Sequence, residues 1–344
     1  MSAKLSGEKV TVVVVNWNRR ELLDSALRSL QRQTVPAIVV VVDNGSTDGS
    51  VDLAAVYPAT RWILNRRNLG FCAANNQAIH LADTEFVALL NNDAEAEPEW
   101  LEALLRCFLS PAVGMAASKI LVWGSAGQID KVGHSIYPDG QNRGRGTGQL
   151  DSGQFDLEED VLWPDGCAAM YRKTMLDEIG GFDEDLFAYG DDAELGLRAR
   201  IAGWTCRYAP KAVVRHHRGT TLGKGSIRRL ALIERNRVLL AVRHFPWSLL
   251  VLNPYYYALR LWTGVWAASR GDGETASFPG FAGKLRLAAG LLRGDLEAIL
   301  LLPKTLWKRW TSRVPKKMKS AEVRALILEN RISLAEMHGK AALK

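Results

Sequence analysis

The densest group of carboxylates in the chain is Asp191-Asp192-Ala193-Glu194, where three acids occupy four consecutive positions. Adjacent carboxylates repel one another, so such a group is costly unless a bound cation or a role as general base offsets the repulsion. The alternative is a helix N-terminus, where the helix dipole favours acidic residues. Glu194 fits that alternative better than Asp192 does. Asp192 is therefore the candidate for base chemistry.

A second candidate group is Asn91-Asn92-Asp93, which directly follows an apolar run. Amide and carboxylate oxygens are hard ligands, and Mg²⁺ combines a few such protein ligands with phosphate oxygens. Farther along the chain, His216 and His217 stand between Arg215 and Arg218. Neutral histidine can complete a metal site, and flanking arginines suit a metal-bound diphosphate. A simple turn and a structural histidine are the corresponding alternatives.

A third polar group, Asp43-Asn44-Gly45-Ser46, ends another apolar run. A carboxylate there can accept hydrogen bonds from a ribose or a base, although this composition is also typical of an Asx turn and helix cap. The first apolar run is followed by Asn16-Trp17-Asn18-Arg19, which contains no glycine. The missing GxGxxG argues against a dinucleotide-binding oxidoreductase, and the missing GxxxxGK[ST] excludes a P-loop.

The elements that must position these groups alternate along the chain. Runs rich in β-branched residues predict buried strands, and apolar residues at helical spacing predict the helices between them. This alternation predicts an α/β chain with a doubly wound, mainly parallel sheet, in which ligands bind beyond the carboxyl ends of the strands. The Gly-rich residues 124–153 are predicted as a long loop or hairpin near the site. The predicted strands are 10–15, 38–42, 61–64 and 86–90, and the predicted helices are 21–33, 73–81, 99–109, 195–202 and 228–244.

Composition and charge bound the class of protein. The 344 residues are 47% hydrophobic and 24% charged, which is typical of a globular chain of about two domains. Residues 1–197 carry 16 Lys and Arg against 29 Asp and Glu, whereas residues 198–344 carry 28 against 8. This asymmetry favours a cation bound by the acidic half and an anionic partner for the basic half. Two oppositely charged faces packed on each other would give the same counts.

Residues 245–344 differ in amino-acid composition from the rest of the chain. Residues 245–267 are rich in Trp, Tyr and Leu but contain Asn253-Pro254 and Arg260, which favours a broken helix lying in a membrane surface over a spanning helix. Residues 304–319 add seven Lys and Arg without an acid, and such a segment is attracted to anionic lipid. The alternative is that the apolar stretch packs on the rest of the chain or in a dimer. No nucleic-acid-binding module accompanies the basic half, so no nucleic-acid partner is expected.

Two further features bear on the compartment. The four cysteines form no CxxC pair and are expected to be free thiols, as in a reducing cytoplasm. The first ten residues lack the apolar core of a signal peptide. The expected location is therefore the cytoplasm.

Seven stretches, in this order, resemble glycosyltransferase family 2, the inverting enzymes of the GT-A fold. More narrowly, they resemble its bacterial rhamnosyltransferase-like branch, which builds surface polysaccharide. The resemblance covers about residues 9–245 and extends more weakly into the tail. The stretches are VTVVVVNWNRRELLDSALRSLQRQ, VVVDNGSTDGS, NRRNLGFCAANNQAI, LLNNDAEAEPEWL, GCAAMYRK, GGFDEDLFAYGDDAELGLRARIAGW and RHHRGTT.

The resemblance implies catalytic and metal-binding roles. Asp192 stands where the family keeps its catalytic base. Asp93 is the last position of the family's Asp-x-Asp motif and would bind Mg²⁺ or Mn²⁺. His216 or His217 would be the second metal contact, and the register between them is open. The metal motif begins with Asn91 rather than aspartate, and one fewer carboxylate should weaken metal affinity in the absence of nucleotide.

The resemblance also implies a binding site for the nucleotide-sugar. Asp43 would hold the base or ribose of the donor, with neighbouring polar residues lining the pocket. The other expected contacts are Asn16, Asn18, Asn68, Gly70, Asn75 and Asn92.

Together these expectations describe a GT-A catalytic domain at residues 1–244 and a helical, basic and aromatic membrane-associating region at residues 245–344. The expected reaction moves a sugar, with rhamnose suggested by the resemblance, from a dTDP- or UDP-linked donor to a lipid-linked glycan. The enzyme would lie at the inner face of the cell membrane, and a homodimer is left open. The alternatives are a non-catalytic sugar-nucleotide or glycan-binding module and a nucleotidyltransferase, which usually needs a glycine-rich loop that residues 16–20 lack.

Overall fold

A large mixed sheet occupies the centre of the protein. The structure is a computed structural model that describes residues 9–218, 226–269, 278 and 280–337, with the backbone alone for 267–269. The strands are β1 (Val10–Asn16), β2 (Ile38–Asp43), β3 (Arg61–Leu64), β4 (Phe86–Leu90), β5 (Ala94–Ala96), β6 (Val113–Val122), β7 (Ile129–Lys131), β8 (His134–Ile136), β9 (Asn142–Gly144), β10 (Glu159–Asp160), β11 (Ala168–Arg172) and β12 (Thr205–His216). Eight of them run side by side in the order β10-β12-β6-β11-β4-β1-β2-β3. In addition, β5 pairs with β12, β7 pairs with β6, and β8 and β9 form a separate hairpin.

Helices cover this sheet and form the C-terminal part of the chain. Short 3₁₀ turns lie at Ser50–Asp52, Cys107–Leu109 and Glu184–Leu186. The α-helices are α1 (Arg20–Gln31), α2 (Leu53–Val56), α3 (Phe71–Leu81), α4 (Trp100–Arg106), α5 (Lys173–Ile179), α6 (Asp191–Ile201), α7 (Ile227–His244), α8 (Trp247–Leu250), α9 (Asn253–Ser269), α10 (Gly280–Thr311), α11 (Ser320–Glu329) and α12 (Leu334–Met337).

The first half of the sheet is parallel, as predicted. β1 pairs in parallel with both β2 and β4, and β2 pairs in parallel with β3. Successive side chains of a strand point to opposite faces, so Val12 packs in one core with Leu23 of α1 while Val13 packs in the other with Ala74 of α3. Burial on both faces explains why β1 is an unbroken run of apolar residues.

The sheet beyond β4 is mixed rather than parallel. β11 lies antiparallel between β4 and β6, and β12 is parallel to β6. A parallel neighbour needs a long crossover, usually a helix, whereas the chain between β6 and β11 forms only short strands and loops. This segment includes the predicted hairpin, observed as β8 and β9.

One predicted helix begins earlier than expected. The helix predicted at 195–202 starts at Asp191, so all three acids of the dense carboxylate group lie in the first turn of α6. The helix dipole there favours the carboxylates, and the same turn places them at the edge of the candidate site. The four cysteines are free and buried, as expected.

The C-terminal helices pack on the rest of the protein. α10 crosses α7 so closely that a Cβ on Gly294 would stand 2.6 Å from the carbonyl oxygen of Ala231. α11 places Ile327 in the same core as Val13. The side chain of Arg260 in α9, which interrupts the apolar stretch, is 11% exposed and donates to Glu234 of α7 at 2.8 and 2.9 Å. The C-terminal helices therefore contribute to the same hydrophobic core as the sheet.

The apolar stretch is broken as predicted. α8 ends at Leu250 and α9 begins at Asn253. Within the described ranges, no helix is both long enough and apolar enough to cross a membrane.

Candidate active site

Backbone strain is concentrated around the polar groups singled out from the sequence. In the part of the chain that the structure describes, four non-glycine residues have a positive φ: Asn18 (51°), Phe187 (64°), Tyr189 (70°) and Arg218 (57°). Such conformations cost of order 1–3 kcal/mol each and persist where the surroundings enforce them, often at functional sites. Each of the four lies within or beside one of the polar motifs, which supports a shared site at this edge of the sheet.

A chain of amides and a carboxylate links the ends of β1, β2 and β4. Asn16 donates from Nδ2 to Oδ2 of Asp43 at 3.0 Å and accepts at Oδ1 from Asn92 at 2.7 Å. Oδ1 of Asp43 also accepts from the backbone N–H groups of Gly45 and Ser46. The Asx-turn interpretation of Asp43 is therefore present in the structure, and the same turn fixes the polar chain that leads to Asp93.

Of the other predicted donor-binding residues, Asn18 and Asn68 bind turns at this edge of the sheet, whereas Asn75 bonds within its own helix. Asn18 joins this edge, since its Oδ1 accepts from the backbone N–H of Thr47 at 2.7 Å. Asn68 caps the turn before α3 by accepting from the N–H of Gly70 at 2.8 Å. Asn75 instead lies buried in α3 and donates to the carbonyl of Phe71 in its own helix.

Gly70 makes the closest approach at this edge. Its φ is +90°, and a Cβ there would stand 2.6 Å from Cδ2 of Phe187 and 2.7 Å from its carbonyl oxygen. Only glycine fits such a contact. Gly70 thus brings the start of α3 against the loop that leads to Asp192.

Asp93 and His216 form the first cluster of candidate ligands. Nε2 of His216 lies 3.3 Å from Oδ1 of Asp93, and Nδ1 lies 2.7 Å from Oδ2 of the buried Asp130. Octahedral ligands at 2.0–2.1 Å from Mg²⁺ stand about 3 Å apart, so this spacing fits two neighbouring ligands of one ion. A carboxylate on the outer nitrogen is the usual way to orient a ligating histidine. Burial lowers the pKa of His216, yet the Cys167 sulfur and the two carboxylates hold it well above its ordinary value.

The structure distinguishes the two histidines. The His217 imidazole stacks on Trp123 with centroids 4.4 Å apart, and its Nε2 lies 3.3 Å from Oε1 of Glu95. Only its backbone N–H reaches Asp93, at the carbonyl oxygen. The side chain that the fold brings to the Asp93 carboxylate is therefore that of His216.

Asp192 belongs to a second cluster. Its Oδ2 lies 3.4 Å from Nε2 of His134 and accepts from the N–H of Gly166 at 3.4 Å. The same His134 nitrogen lies 2.8 Å from Asp165, which also binds Nζ of Lys131 at 2.5 Å. Burial alone would raise the pKa of Asp165, but Lys131 and His134 hold it well below its ordinary value. Asp165 is thus an anion that orients His134 toward Asp192.

The two adjacent aspartates differ in environment. Burial raises the pKa of Asp192, and burial together with the Asp192 charge raises the pKa of Asp191 to about 8. The neutral form of Asp191 is therefore favoured. Asp192 sits beside a histidine, and a raised pKa suits a general base near neutral pH. The geometry thus favours Asp192 over Asp191 as the base.

His134, Asp165 and Asp192 also offer ligand atoms within 4.8 Å of one another, a spacing that could hold a metal ion. The Lys131 ammonium already binds Asp165 there, so a cation would have to compete with a fixed positive charge. In the cluster of Asp93 and His216, the two candidate ligand atoms lie 3.3 Å apart, and Asp130 holds the outer nitrogen of the histidine. The metal assignment therefore favours Asp93 and His216.

Sequence reasoning missed four residues of these clusters. Neighbouring residues of β7, Asp130 and Lys131, support the two clusters in turn, and His134 and Asp165 complete the second. All but Asp165 lie in the Gly-rich segment, where no periodicity marks them. The only signal was that this segment was expected near the site.

Glu194 secures α6 behind the candidate base. It is buried, accepts from Arg198 at 2.8 and 3.1 Å, and lies 2.8 Å from Nε2 of His244 in α7. Burial alone would raise its pKa, yet Arg198 and His244 hold it at about 2. His244 therefore ties the first turn of α6 to α7, whereas the pair with Arg198 lies within α6.

We expect Glu194→Gln to destabilise the fold by about 3–5 kcal/mol at pH 7, because it leaves buried Arg198 short of its counter-ion. The folded pKa of about 2 lies below the ordinary value of 4.5, so this stabilisation is present above pH 4.5 and is lost as the pH falls toward 2. Urea unfolding at several pH values measures it. The exposed Glu102→Gln, which breaks the pair with Arg106, should change stability little. Equal losses from the two variants would contradict the assignment.

Comparisons with known proteins give the family and the fold of the chain. The family described as "Glycosyltransferase like family 2" matches residues 7–233. An N-acetylglucosaminyl-diphospho-decaprenol L-rhamnosyltransferase of Mycobacterium tuberculosis is 30% identical over 273 residues, which are 69% of this chain and 85% of that protein. A pre-mycofactocin glycosyltransferase of the same organism is 29% identical over 245 residues, covering 70% of this chain and 49% of that protein. The crystal structure of GalNAc-T7 with UDP, GalNAc and Mn²⁺ is 14% identical and covers 91% of this chain and 59% of that one, with a TM-score of 0.59.

The fold is the GT-A fold, and the matching family is one of glycosyltransferases. The chain belongs to the glycosyltransferase family 2-like family. The fold class and the family expected from the motifs are both confirmed.

Proposed function

We propose that this protein is an inverting, divalent-metal-dependent transferase that moves a sugar from a nucleoside diphosphate to a hydroxyl of a lipid-linked glycan. The observation that carries the proposal is that β7 supports two separate clusters through adjacent residues. Asp130 orients His216 beside Asp93, and Lys131 binds Asp165 next to the candidate base. A module that only binds a sugar nucleotide needs no base, so the second cluster favours catalysis.

The base chemistry belongs to Asp192. Inversion requires the acceptor hydroxyl to attack opposite the leaving diphosphate, and the hydroxyl proton passes to the Asp192 carboxylate as the new bond forms. Such general-base assistance contributes typically about 10²–10⁴-fold. His134 donates from Nε2 to Asp165, and the same nitrogen lies 3.4 Å from Oδ2 of Asp192, where the imidazole favours the charged form of the base before the proton arrives. No covalent sugar–enzyme intermediate is required.

Asp93 and His216 would hold Mg²⁺ or Mn²⁺. Such an ion, when bound, neutralises charge on the leaving diphosphate and orients it. The spacing of the two ligand atoms and the outer carboxylate of Asp130 support this assignment. Arg228 and Arg229 lie over the rings of Phe187 and Tyr189 and are placed to assist with phosphate oxygens.

The donor and acceptor are proposed from the relatives. The mycobacterial relative is named as an L-rhamnosyltransferase that acts on N-acetylglucosaminyl-diphospho-decaprenol, a polyprenyl-diphosphate-linked N-acetylglucosamine. By analogy we propose dTDP-rhamnose as the first donor to test, with UDP-linked sugars as the alternative. The product would enter cell-surface polysaccharide synthesis at the cytoplasmic face of the membrane.

Thermal unfolding of the whole chain tests the donor site. The panel consists of dTDP, UDP, GDP and their sugars, each with and without Mn²⁺ or Mg²⁺. A ligand at 100 times its dissociation constant stabilises the fold by about 2.7 kcal/mol. We expect metal-dependent stabilisation by dTDP or UDP. A folded sample that responds to no nucleotide would contradict the proposed donor site.

An exposed apolar face on α9 and α10 supports contact with an anionic membrane surface. The two helices are neighbours, joined by Tyr257 and Asp295 at 2.5 Å. Trp and Leu at such a face suit the headgroup level of a bilayer. The large exposed side chains are Tyr255, Trp262, Val265, Trp266, Phe281, Leu285, Leu292, Leu296, Ile299, Leu300, Trp307 and Trp310.

Only some of the basic residues in the segment 304–319 are available to bind anionic lipid beside this apolar face. Lys304 and Lys308 bind Asp185 at 2.6 Å, and Arg309 donates to the carbonyls of Val242 and Phe245. The two lysines hold α10 against the acidic half of the chain, and Arg309 holds it against the end of α7, so the charge asymmetry is partly an internal interface. The basic side chains left for anionic lipid are the exposed Arg313, Lys316 and Lys319.

We expect the double variant Trp307→Ser/Trp310→Ser to bind vesicles containing phosphatidylglycerol about tenfold more weakly than the parent chain. Removing one buried aromatic contact of about 1.5 kcal/mol already gives that factor. Co-sedimentation measures it. Leu109→Ser, at an exposed apolar side chain away from α9 and α10, serves as the control. Unchanged vesicle binding, or a dimer that the double variant dissociates without lipid, would contradict the membrane assignment.

A further inference from the structure

The loop that leads to Asp192 is held by one side chain of α7. Asn236 is 1% exposed, and its Nδ2 donates to three carbonyl oxygens of this loop. The distances are 3.0 Å to Leu186, 2.9 Å to Ala188 and 2.7 Å to Tyr189. One NH₂ group thus shares its two N–H bonds among three carbonyls, which lie between the last residue of the 3₁₀ turn at Glu184–Leu186 and Gly190.

The loop needs such a partner because its backbone is strained. Phe187 and Tyr189 both adopt left-handed conformations, which turn their neighbouring carbonyls away from any regular ladder. A buried carbonyl without a donor is costly, and Asn236 supplies the donors. On the other side, the Phe187 carbonyl accepts from the N–H groups of Phe71 and Cys72 at 2.7 and 3.2 Å. The loop is therefore clamped between α3 and α7.

Arg235 fixes the orientation of this amide. Its Nε donates to Oδ1 of Asn236 at 2.9 Å, so the amide oxygen faces the guanidinium and the NH₂ group faces the loop. Its Nη2 donates to the carbonyls of Asp185 and Leu186 at 3.1 and 2.8 Å. Consecutive residues of α7 therefore hold residues 185–189 as a unit.

We propose that Asn236, oriented by Arg235, is a positioning residue that sets the location of the Asp192 carboxylate. The inference rests on the proposed sugar transfer. The clamped loop ends at Gly190, the N-terminal cap of α6, and Asp192 is the second residue of that helix. A shift of the loop therefore moves the base directly. Asp93, Asp43 and Asn16 lie at the ends of other strands and do not depend on this clamp.

This arrangement predicts a specific separation of effects. Displacement of a reacting group by about 1 Å can cost about 10²-fold in rate. Loss of the clamp should therefore lower kcat while nucleotide binding at the strand ends persists. A residue that merely stabilised the fold would lower the amount of folded enzyme and leave kcat per folded molecule unchanged.

The test compares Asn236→Ala and the isosteric Asn236→Asp with the parent enzyme, using dTDP-rhamnose, a polyprenyl-diphosphate N-acetylglucosamine and Mn²⁺. We expect kcat per folded molecule to fall about 10²-fold in both variants, with thermal stabilisation by dTDP and Mn²⁺ unchanged within twofold in apparent affinity. Arg235→Lys keeps the positive charge but loses the guanidinium hydrogen bonds to the loop, and we expect it to lower kcat less than the Asn236 variants do. Asn330→Ala is the matched control, since that amide donates to one carbonyl at the end of α11. Its kcat should equal that of the parent.

Three outcomes would overturn the inference. Parent-like kcat in folded Asn236→Ala would do so while leaving the proposed function intact. A parallel loss of kcat and nucleotide stabilisation would assign Asn236 to general folding instead. If neither Asn236 variant folds, a parent-like kcat in Arg235→Lys would show that the hydrogen bonds from α7 to residues 185–189 do not affect the reaction. Absence of any transfer by the parent enzyme with every donor would instead refute the proposed function itself.

Discussion

Asp192→Asn should reduce sugar transfer by about 10²–10⁴-fold while donor binding stays intact, because the amide cannot accept the acceptor's proton. The substitution keeps the size of the side chain and its hydrogen bond from Gly166, so the first turn of α6 should be preserved. Turnover is measured by release of the nucleoside diphosphate in the presence of acceptor. Thermal stabilisation by nucleotide with Mn²⁺ reports donor binding in the same samples.

Asp191→Asn is the matched control for this experiment. Burial and the Asp192 charge raise the pKa of Asp191 and so favour its neutral form, and the amide that replaces it is neutral as well. We expect this variant to retain most of its activity at pH 7. Near-normal turnover by Asp192→Asn, in enzyme free of wild-type contamination, would contradict the base assignment, and loss of activity in Asp191→Asn alone would transfer it to the neighbouring residue.

Asp93→Ala should abolish the metal-dependent part of nucleotide stabilisation, and with it sugar transfer. The remaining imidazole offers one ligand, and Mg²⁺ and Mn²⁺ are held by few protein groups, so each counts heavily. The expected loss is the whole stabilisation, about 2.7 kcal/mol at 100 times the dissociation constant. The measurement is the same thermal series with and without Mn²⁺.

The two histidines provide an internal comparison for the metal assignment. His216 approaches the Asp93 carboxylate, whereas His217 stacks on Trp123. We therefore expect His216→Ala to weaken metal-dependent stabilisation strongly and His217→Ala to weaken it little. The reverse order would contradict the assignment of His216. Retained metal dependence in Asp93→Ala would move the ion to the cluster of His134, Asp165 and Asp192.

Local pattern predicted the parallel part of the fold well. The valine runs of β1 and β2 and the polar groups that end β2 and β4 appear in the sequence as contiguous signals. Contacts among residues close in sequence, or at a fixed helical or strand period, are what such patterns encode. The seven motifs added the family, which the comparisons confirm.

Pairings between distant segments could not be predicted in this way. Asp130 contacts His216, which lies 86 positions later in the sequence. Asn236 contacts the loop before Asp192, although α6 and β12 separate the two in the sequence. Asp130 stands in no periodic run, and the helical period that predicts α7 does not single out Asn236. The basic segment shows the same limit, because the sequence gives the charge of Lys308 but not its ion pairs with Asp183 and Asp185.

The most direct test of the central claim is detection of the transferred sugar. The full chain is incubated with dTDP-rhamnose or a UDP-sugar, polyprenyl-diphosphate N-acetylglucosamine and Mn²⁺, and the lipid product is analysed by mass and by NMR of the anomeric centre. The account predicts one added sugar with inverted configuration, formed only when metal and acceptor are both present. A product of retained configuration, transfer that persists in EDTA, or no product from any donor in folded enzyme would contradict it.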